Sequence, residues 1–129
     1  MFEELKKIID NAYTPYSNFK VACIVKMKDG TYFKGVNIEN PSFKDGMCAE
    51  EVAIGRAISN GYTKHDFDSI YIMSKANHVI TPCFLCRQQI VEFFELDKKL
   101  ISYDVSGNKK EFILSDLCPH TFGEEDLHD

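Results

Sequence analysis

Three cysteines of this 129-residue chain stand where helices are predicted to begin. Cys83 and Cys86 are three residues apart, so on a helix they share one face and converge on one ion. Cys48 opens another predicted helix, and Pro82 suits the helix entrance before Cys83. Helix N-termini expose N–H groups and partial positive charge, which favour thiolates. The pattern predicts a site for a soft-ligand cation, with zinc on three thiolates and an open fourth position as the catalytic form.

Glu50 follows Cys48 by two residues, and this spacing restricts where the two side chains point. In a regular helix, residues i and i+2 point roughly 200° apart. Both residues therefore face one ion only if Cys48 occupies the non-helical cap position and Glu50 lies in the first turn. The Glu50 carboxylate then lies beside a metal-bound water as a proton shuttle, without being a ligand.

Each of these residues also has a simpler interpretation when it is taken alone. Cys83-x-x-Cys86 fits a thioredoxin-like redox pair, Cys48 a small buried hydrophobe, and a first-turn Glu50 a partner of the helix dipole. Cys-Ala-Glu opening one helix and Pro-Cys-x-x-Cys opening the next is far more specific. It is the signature of zinc nucleobase deaminases, whose first ligand is His or Cys. The combination favours a zinc–glutamate site.

The elements that must position these residues follow from the periodicity of the apolar side chains. The predicted order is α-β-β-α-β-α-β-β-α, with helices over 2–12, 48–59, 82–95 and a short last segment, and strands over 19–27, 31–38, 67–74, 100–105 and 111–114. Ser115 is predicted to cap that last helix, and Pro119 to end it. Helices between strands favour parallel pairing, and Asp29-Gly30 favours an opening hairpin, so the sheet is mixed. The predicted fold is a three-layer α/β sandwich in a single domain over 1–129.

Composition excludes several classes of protein. With 44% hydrophobic and 27% charged residues, the chain is neither disordered nor fibrous. A net charge of −5 argues against a sequence-independent nucleic-acid partner. No apolar run approaches ~18 residues and the N-terminus is acidic, so we expect neither a membrane span nor a signal peptide. An odd count of five cysteines then favours a reducing cytosol, with Cys23 and Cys118 as packing residues.

Over nearly its whole length the chain resembles the small, single-domain, homotetrameric cytidine deaminases. The resemblance runs through Pro15-Tyr16-Ser17-Asn18-Phe19, Gly35-Val36-Asn37-Ile38-Glu39-Asn40, Cys48-Ala49-Glu50, Pro82-Cys83-x-x-Cys86-Arg87-Gln88 and the tail 124–129. It implies an α/β/α sandwich around a five-stranded mixed sheet, one Zn²⁺ per subunit, and active sites completed by neighbouring subunits. It also implies a cytoplasmic enzyme of pyrimidine salvage.

The resemblance assigns expected roles residue by residue. Cys48, Cys83 and Cys86 match the zinc ligands, and Glu50 matches the proton shuttle. The expected substrate contacts are Phe19 to the pyrimidine, Asn37 and Glu39 to the ribose hydroxyl, the Ala49 backbone to the base edge, and Phe122 to a neighbouring subunit's pocket. The implied reaction is hydrolytic deamination of free cytidine and 2′-deoxycytidine, giving uridine or 2′-deoxyuridine and ammonia. In it, zinc-bound hydroxide attacks C4 while Glu50 moves protons to N3 and to the leaving amine.

Two departures from the family pattern leave questions for the structure. Glu51 stands where an Arg commonly offsets the negative charge of three thiolates. Either Glu51 turns away to solvent, or the helix N-termini, Arg56 or Arg87 compensate for the thiolate charge. Phe84-Leu85 stands between the paired cysteines where small Gly-Ala is usual, and this bulk either narrows the pocket or packs beneath the site.

Three alternatives to the leading function stay open at this point. One is deamination of a cytosine-nucleoside analogue, such as an aminoacyl-nucleoside antibiotic of the blasticidin S type. Another is a zinc-binding structural or regulatory protein with impaired catalysis, for which Glu51 is the motivating residue. The third is a thiol redox protein, which stoichiometric zinc would count against because a redox dithiol is free of metal.

Overall fold

Five strands form one mixed sheet in the order β2-β1-β3-β4-β5. The computed structural model describes residues 1–127 apart from the side chain of Phe43, so residues 128 and 129 of the predicted tail lie outside the described residues. The strands are β1 (Val21–Met27), β2 (Tyr32–Val36), β3 (Phe67–Ser74), β4 (Lys99–Tyr103) and β5 (Lys109–Ile113). β3 and β4 pair in parallel, and the other neighbours pair antiparallel. The predicted mixed sheet is confirmed.

Helices cover both faces of this sheet. They are α1 (Phe2–Ile8), α2 (Ala49–Ser59), α3 (Phe84–Phe93) and α4 (Leu114–Leu117). On one face, Leu5 of α1 and Ile9 just after it pack with Ala22, Ile24 and Met73. On the other face, side chains of α2, α3 and α4 form the larger core with the alternate residues of the strands, for example Ala53, Ile90 and Leu114 against Cys23, Val25, Ile70, Ile72 and Leu100. The architecture is the expected three-layer α/β/α sandwich.

The strand connections show why the ends of β2 and β3 matter. Asp29-Gly30 forms the predicted hairpin, because Gly30 adopts a φ of +92° and the Asp29 carboxylate accepts the Thr31 N–H at 2.9 Å. The chain leaves β2 for α2, and leaves β3 for α3. β2 and β3 both run antiparallel to β1, so they end at the same edge of the sheet. The N-termini of α2 and α3 therefore lie close together in space.

Most predicted boundaries differ from the observed ones; the first helix, for example, ends at Ile8 rather than at residue 12. Two of the differences have a clear physical cause. β1 begins at Val21 rather than at Phe19, because the Asn37 side chain bonds the Phe19 carbonyl and the Val21 N–H, each at 2.9 Å. Ser115 lies inside α4 and does not cap it; Ile113 is the cap residue. β5 leads directly into this helix, whose Ser115 N–H is satisfied by the Leu96 carbonyl at 2.9 Å and needs no side-chain cap.

The two outer strands differ in their surroundings. β5 is bonded only to β4 on its inner side, and its residues Lys109, Lys110 and Glu111 are exposed. β2, at the opposite edge, is tied to α1 through an ion pair of 2.8 Å between Lys34 and Glu4. Within residues 1–127, none of the helices has the length and apolarity needed to cross a bilayer.

Candidate functional site

The sulfur atoms of Cys48, Cys83 and Cys86 lie within 4.8 Å of one another. Cys48 is the N-cap of α2, with an extended backbone (φ −75°, ψ 154°), and Cys83 is the N-cap of α3 (φ −64°, ψ 162°). The Cys86 N–H donates to the Cys83 sulfur at 3.4 Å. Thiolates on a tetrahedral zinc are about 3.8 Å apart, as Zn–S bonds of about 2.3 Å require. The three thiols therefore match zinc in both chemistry and spacing.

The thiols of Cys48 and Cys86 do not lose their protons equally. A hydrogen bond from the Cys86 thiol lowers the pKa of Cys48 below that of an ordinary cysteine. The same hydrogen bond, together with burial, raises the pKa of Cys86. A cation that binds all three thiolates must displace the thiol protons.

Glu50 lies in the first turn of α2 and is only 4% exposed. Burial raises the pKa of its carboxyl group, although a hydrogen bond from the Cys86 thiol opposes this shift. Because Cys48 is non-helical and Glu50 is helical, both residues approach the thiol cluster, as their spacing requires. A buried carboxyl group beside a metal centre is placed to hold and release a proton.

Gly35 of β2 determines how closely α2 approaches the sheet. A Cβ atom at this position would lie 2.6 Å from the Ala49 carbonyl oxygen and 2.6 Å from the Ala53 nitrogen. Both are backbone atoms that cannot rotate away, so any larger residue forces the helix outward. The absence of a side chain at Gly35 therefore allows the first turn of α2, with Glu50, to lie directly against β2.

A cavity of about 650 Å³ connects Cys48 with the predicted ribose-binding pair. Asn37, Glu39, Cys48 and Leu85 are among the residues that line it. The Asn37 side chain donates a hydrogen bond to the Phe19 carbonyl and accepts one from the Val21 N–H. Glu39 accepts backbone hydrogen bonds from Tyr16 at 3.0 Å and Ser17 at 3.1 Å, and a further one from the Ser17 hydroxyl.

These bonds stabilise the charged form of Glu39. The hydrogen bond from the Ser17 hydroxyl holds the pKa of the Glu39 carboxyl below its usual value. The two backbone N–H groups lower this pKa further, by a smaller amount. Glu39 therefore presents a carboxylate at the cavity wall and also fixes the turn that carries Tyr16, another residue lining the cavity.

The other predicted substrate contacts lie away from this cavity wall. Ala49 is fully buried behind Cys48. Phe19 is 39% exposed and does not line the cavity, although Asn37 holds its carbonyl. Phe122 is 55% exposed and lines a separate cavity of about 300 Å³ together with Phe84 and Arg87. A single chain thus unites the cysteines, Glu50, Asn37 and Glu39, but not Phe122.

Neither arginine considered for charge compensation points its donors at an anion. Arg56 donates to the Lys34 carbonyl at 2.7 Å. Arg87 donates to the carbonyls of Pro82 and Leu117, both at 2.8 Å, and to the Thr81 hydroxyl at 2.9 Å. All these acceptors are uncharged, so the helix N-termini are the nearest favourable dipoles for the three thiolates.

The two bulky residues of α3 have different positions. Leu85 lines the 650 Å³ cavity, so its bulk narrows the mouth of the site. Phe84 instead lies under the Arg87 guanidinium, 4.4 Å from it, on the side of the helix that faces Phe122. No local pattern in the sequence distinguishes these two adjacent apolar residues, and both are exposed in the structure.

Three further residues of the site were not assigned roles from the sequence: Ser17, Gly35 and Gln89. Ser17 and Gly35 lie within the segments that carry the family resemblance, which is the one signal that pointed to them. Gln89 bonds Glu51 across 38 positions of the chain, and no local pattern reveals such a pair.

Three thiols at two helix starts and a buried carboxylate define a zinc-dependent hydrolytic centre of the nucleobase deaminase type. The protein-family model described as "Cytidine and deoxycytidylate deaminase zinc-binding region" matches residues 1–102 of this chain. A cytidine deaminase of Mycoplasma genitalium is 39% identical over 95% of this chain and 92% of its own length. The crystal structure of cytidine deaminase from Burkholderia pseudomallei is 33% identical, with a TM-score of 0.89 over 94% of this chain and 95% of that one. A blasticidin-S deaminase of Bacillus cereus is 32% identical over 77% of this chain and 74% of its own. The chain belongs to the cytidine deaminase family.

Proposed function

We propose that this protein deaminates cytidine and 2′-deoxycytidine as free nucleosides. The observation that carries the proposal is one cavity that joins the three-thiol centre at Cys48 to Asn37 and Glu39, with Glu50 buried behind the thiols. A base and a sugar are joined in a nucleoside, and this cavity offers separate groups for each. The net charge of −5 is consistent with a small neutral substrate rather than a polynucleotide.

In the proposed reaction, water adds to C4 of the base, the C4–N bond breaks and ammonia leaves. Zinc, when bound by Cys48, Cys83 and Cys86, supplies an acidified water at neutral pH. Glu50 accepts the proton of that water, delivers it to N3 and passes a second proton to the departing amine. Because burial raises its pKa, the Glu50 carboxyl holds a transferred proton more readily than an exposed glutamate does.

Asn37 and Glu39 are proposed to bind the sugar hydroxyls. The Glu39 carboxylate already accepts three hydrogen bonds from Tyr16 and Ser17. A ribose hydroxyl takes the place of the mobile Ser17 hydroxyl, while the two backbone N–H donors hold the carboxylate in position. A nucleoside that lacks this hydroxyl forgoes one hydrogen bond to the Glu39 carboxylate, which then keeps its bond from Ser17.

 We propose a homotetramer in which a neighbouring subunit completes each active site. The ring of Phe122 is exposed and lies outside the cavity of its own chain, while Gln88 fixes its backbone by donating to the Phe122 carbonyl at 2.8 Å. An exposed aromatic ring on an anchored backbone is suited to enter a pocket of another chain. We place this enzyme in the cytoplasm, in pyrimidine salvage, where reduced thiols are maintained for the metal.

The test is the loss of ultraviolet absorbance after cytidine is added to the zinc-loaded protein and to its Glu50→Ala variant. We expect turnover by the wild type, and retained zinc with turnover reduced by roughly 10²- to 10⁴-fold in the variant. Glu3→Gln, a change at an exposed carboxylate on α1, serves as the matched control and keeps full turnover. Absence of deamination by the zinc-replete wild type would contradict the proposal.

A second candidate substrate is a cytosine nucleoside of the blasticidin S type. The similarity to the Bacillus cereus blasticidin-S deaminase favours it, and the two substrates share the cytosine base on which the metal centre acts. The same assay with blasticidin S in place of cytidine separates the candidates. Turnover of blasticidin S alone would assign the protein to the antibiotic substrate, and turnover of cytidine alone would exclude it.

A further inference from the structure

A side-chain hydrogen bond away from the thiols joins the two helices that carry them. Gln89 of α3 donates its Nε2 hydrogen to Glu51 Oε2 of α2 at 3.0 Å. Among the described residues 1–127, the other side-chain hydrogen bonds between α2 and α3 are those of the cysteine thiols at the site itself, which zinc binding would replace. Both partners are half-buried, so water competes weakly for this bond.

The position of this bond relative to the metal ligands is symmetrical. Glu51 follows Cys48 by three residues, and Gln89 follows Cys86 by three residues. Three residues advance a helix by about 4.5 Å, nearly one turn. The bond therefore connects α2 and α3 about one turn beyond the sulfur atoms, and all four residues line one cavity of about 310 Å³.

Packing holds the two helices to different extents. Five residues of α2 are buried: Ala49, Glu50, Ala53, Ile54 and Ala57. Only Cys86 and Ile90 are buried in α3. Since α3 has the narrower buried face, a direct bond to α2 restricts its position more than it restricts that of α2.

We propose that Glu51 and Gln89 are positioning residues, whose hydrogen bond holds Cys86 at the correct distance from Cys48 for metal binding. This inference rests on the zinc-binding role of the three cysteines. A carboxylate near three thiolates is electrostatically unfavourable. The contribution of Glu51 is therefore its acceptor oxygen and not its charge, which explains how the chain functions with Glu51 in place of the usual arginine.

The experiment measures how fast zinc transfers from the loaded protein to a chromophoric chelator, without nucleoside. Glu51→Ala and Gln89→Ala each accelerate release by roughly three- to tenfold, as expected for the loss of one hydrogen bond. The double variant is no faster than either single variant, since both remove the same bond. Glu92→Gln, a change at an exposed residue one turn further along α3, releases zinc at the wild-type rate.

Two variants separate the hydrogen bond from the charge. Glu51→Gln keeps an acceptor oxygen and loses the charge, so its release rate stays within about twofold of the wild type. Gln89→Glu places two carboxylates together and accelerates release. The exchange Glu51→Gln with Gln89→Glu restores both the bond and the original net charge, and with them slow release.

Additive effects of the two alanine substitutions would overturn the proposal, as would release by Glu51→Gln as fast as that by Glu51→Ala. If an alanine variant fails to fold, the exchanged pair still decides, because fast release from it contradicts a positioning bond. A protein that binds zinc in this way but deaminates no nucleoside would refute the proposed function and leave this inference standing.

Discussion

The first turns of α2 and α3 begin alike and end in opposite surroundings. Each helix starts at a cysteine with an extended backbone that serves as the N-cap. The next two residues of α2, Ala49 and Glu50, are buried, whereas Phe84 and Leu85 of α3 are 78% and 71% exposed. The local backbone brings a thiol to the metal in both cases, but packing decides what else each helix supplies. α2 supplies a buried carboxyl group, and α3 supplies the apolar side chain of Leu85 at the mouth of the cavity.

The largest effect comes from removing a thiol from either helix. Cys48→Ala and Cys86→Ala each leave two thiols, so we expect zinc content to fall from about one per chain to near zero. Cys118→Ala, at a half-buried thiol outside the cluster, keeps its zinc. The measurement is metal content after dialysis against a mild chelator. If Cys48→Ala retained full zinc, α2 would not be a ligand-bearing helix, and the likeness between the two helix starts would be only geometrical.

The buried position of α2 is tested at Gly35. Gly35→Ala places a methyl group against the Ala49 and Ala53 backbone, and we expect it to lower the free energy of unfolding by about 1–3 kcal/mol. The control is Gly55→Ala within α2, where an added Cβ meets nothing within 4 Å. That change stabilises the helix by about 0.5–1 kcal/mol. Urea unfolding of the zinc-loaded proteins measures both, and equal stability of the two variants would show that contact with β2 does not determine the depth of α2.

The smallest effect concerns the exposed surface near α3. If Phe122 enters a neighbouring subunit's pocket, Phe122→Ala raises KM for cytidine by about fivefold or more, as loss of aromatic stacking on a base predicts, without loss of zinc. Co-expression of Phe122→Ala chains with Glu50→Ala chains restores a low KM. In the mixed assemblies, some active sites combine the intact Glu50 of a Phe122→Ala chain with the intact Phe122 of a neighbouring Glu50→Ala chain. Steady-state kinetics and sedimentation equilibrium of the mixed tetramers provide the measurement. Without such rescue, Phe122 acts within its own chain.

The contacts that the sequence predicted are the local ones. The spacing of Cys83 and Cys86 implies convergence on any helix, and the spacing of Cys48 and Glu50 required the non-helical cap that the structure has. The sheet order that brings these two helix starts together depends on pairings between distant strands. A mixed five-stranded sheet was expected, but its strand order was not, because periodicity does not specify which strands pair.

The features that the sequence did not predict depend on long-range contacts. The bond between Glu51 and Gln89 joins residues without a shared motif, and the need for glycine at position 35 arises from a helix 14 residues further along the chain, at Ala49. Ser115 failed as a predicted cap for the same reason, since its N–H is bonded by Leu96 from another part of the chain. Local propensity describes the capping potential of a serine but not whether a cap is needed.

The lysines on the outer strand β5 have a consequence for how copies of the chain meet. An outer strand offers unpaired backbone groups to any other strand that approaches it, and charged side chains oppose this kind of pairing. Lys109 and Lys110 are exposed on β5, so two copies brought edge to edge place like charges together. Association through a continuous sheet is thereby disfavoured, and the protein is protected from open-ended growth while its helical faces stay free to form a closed assembly.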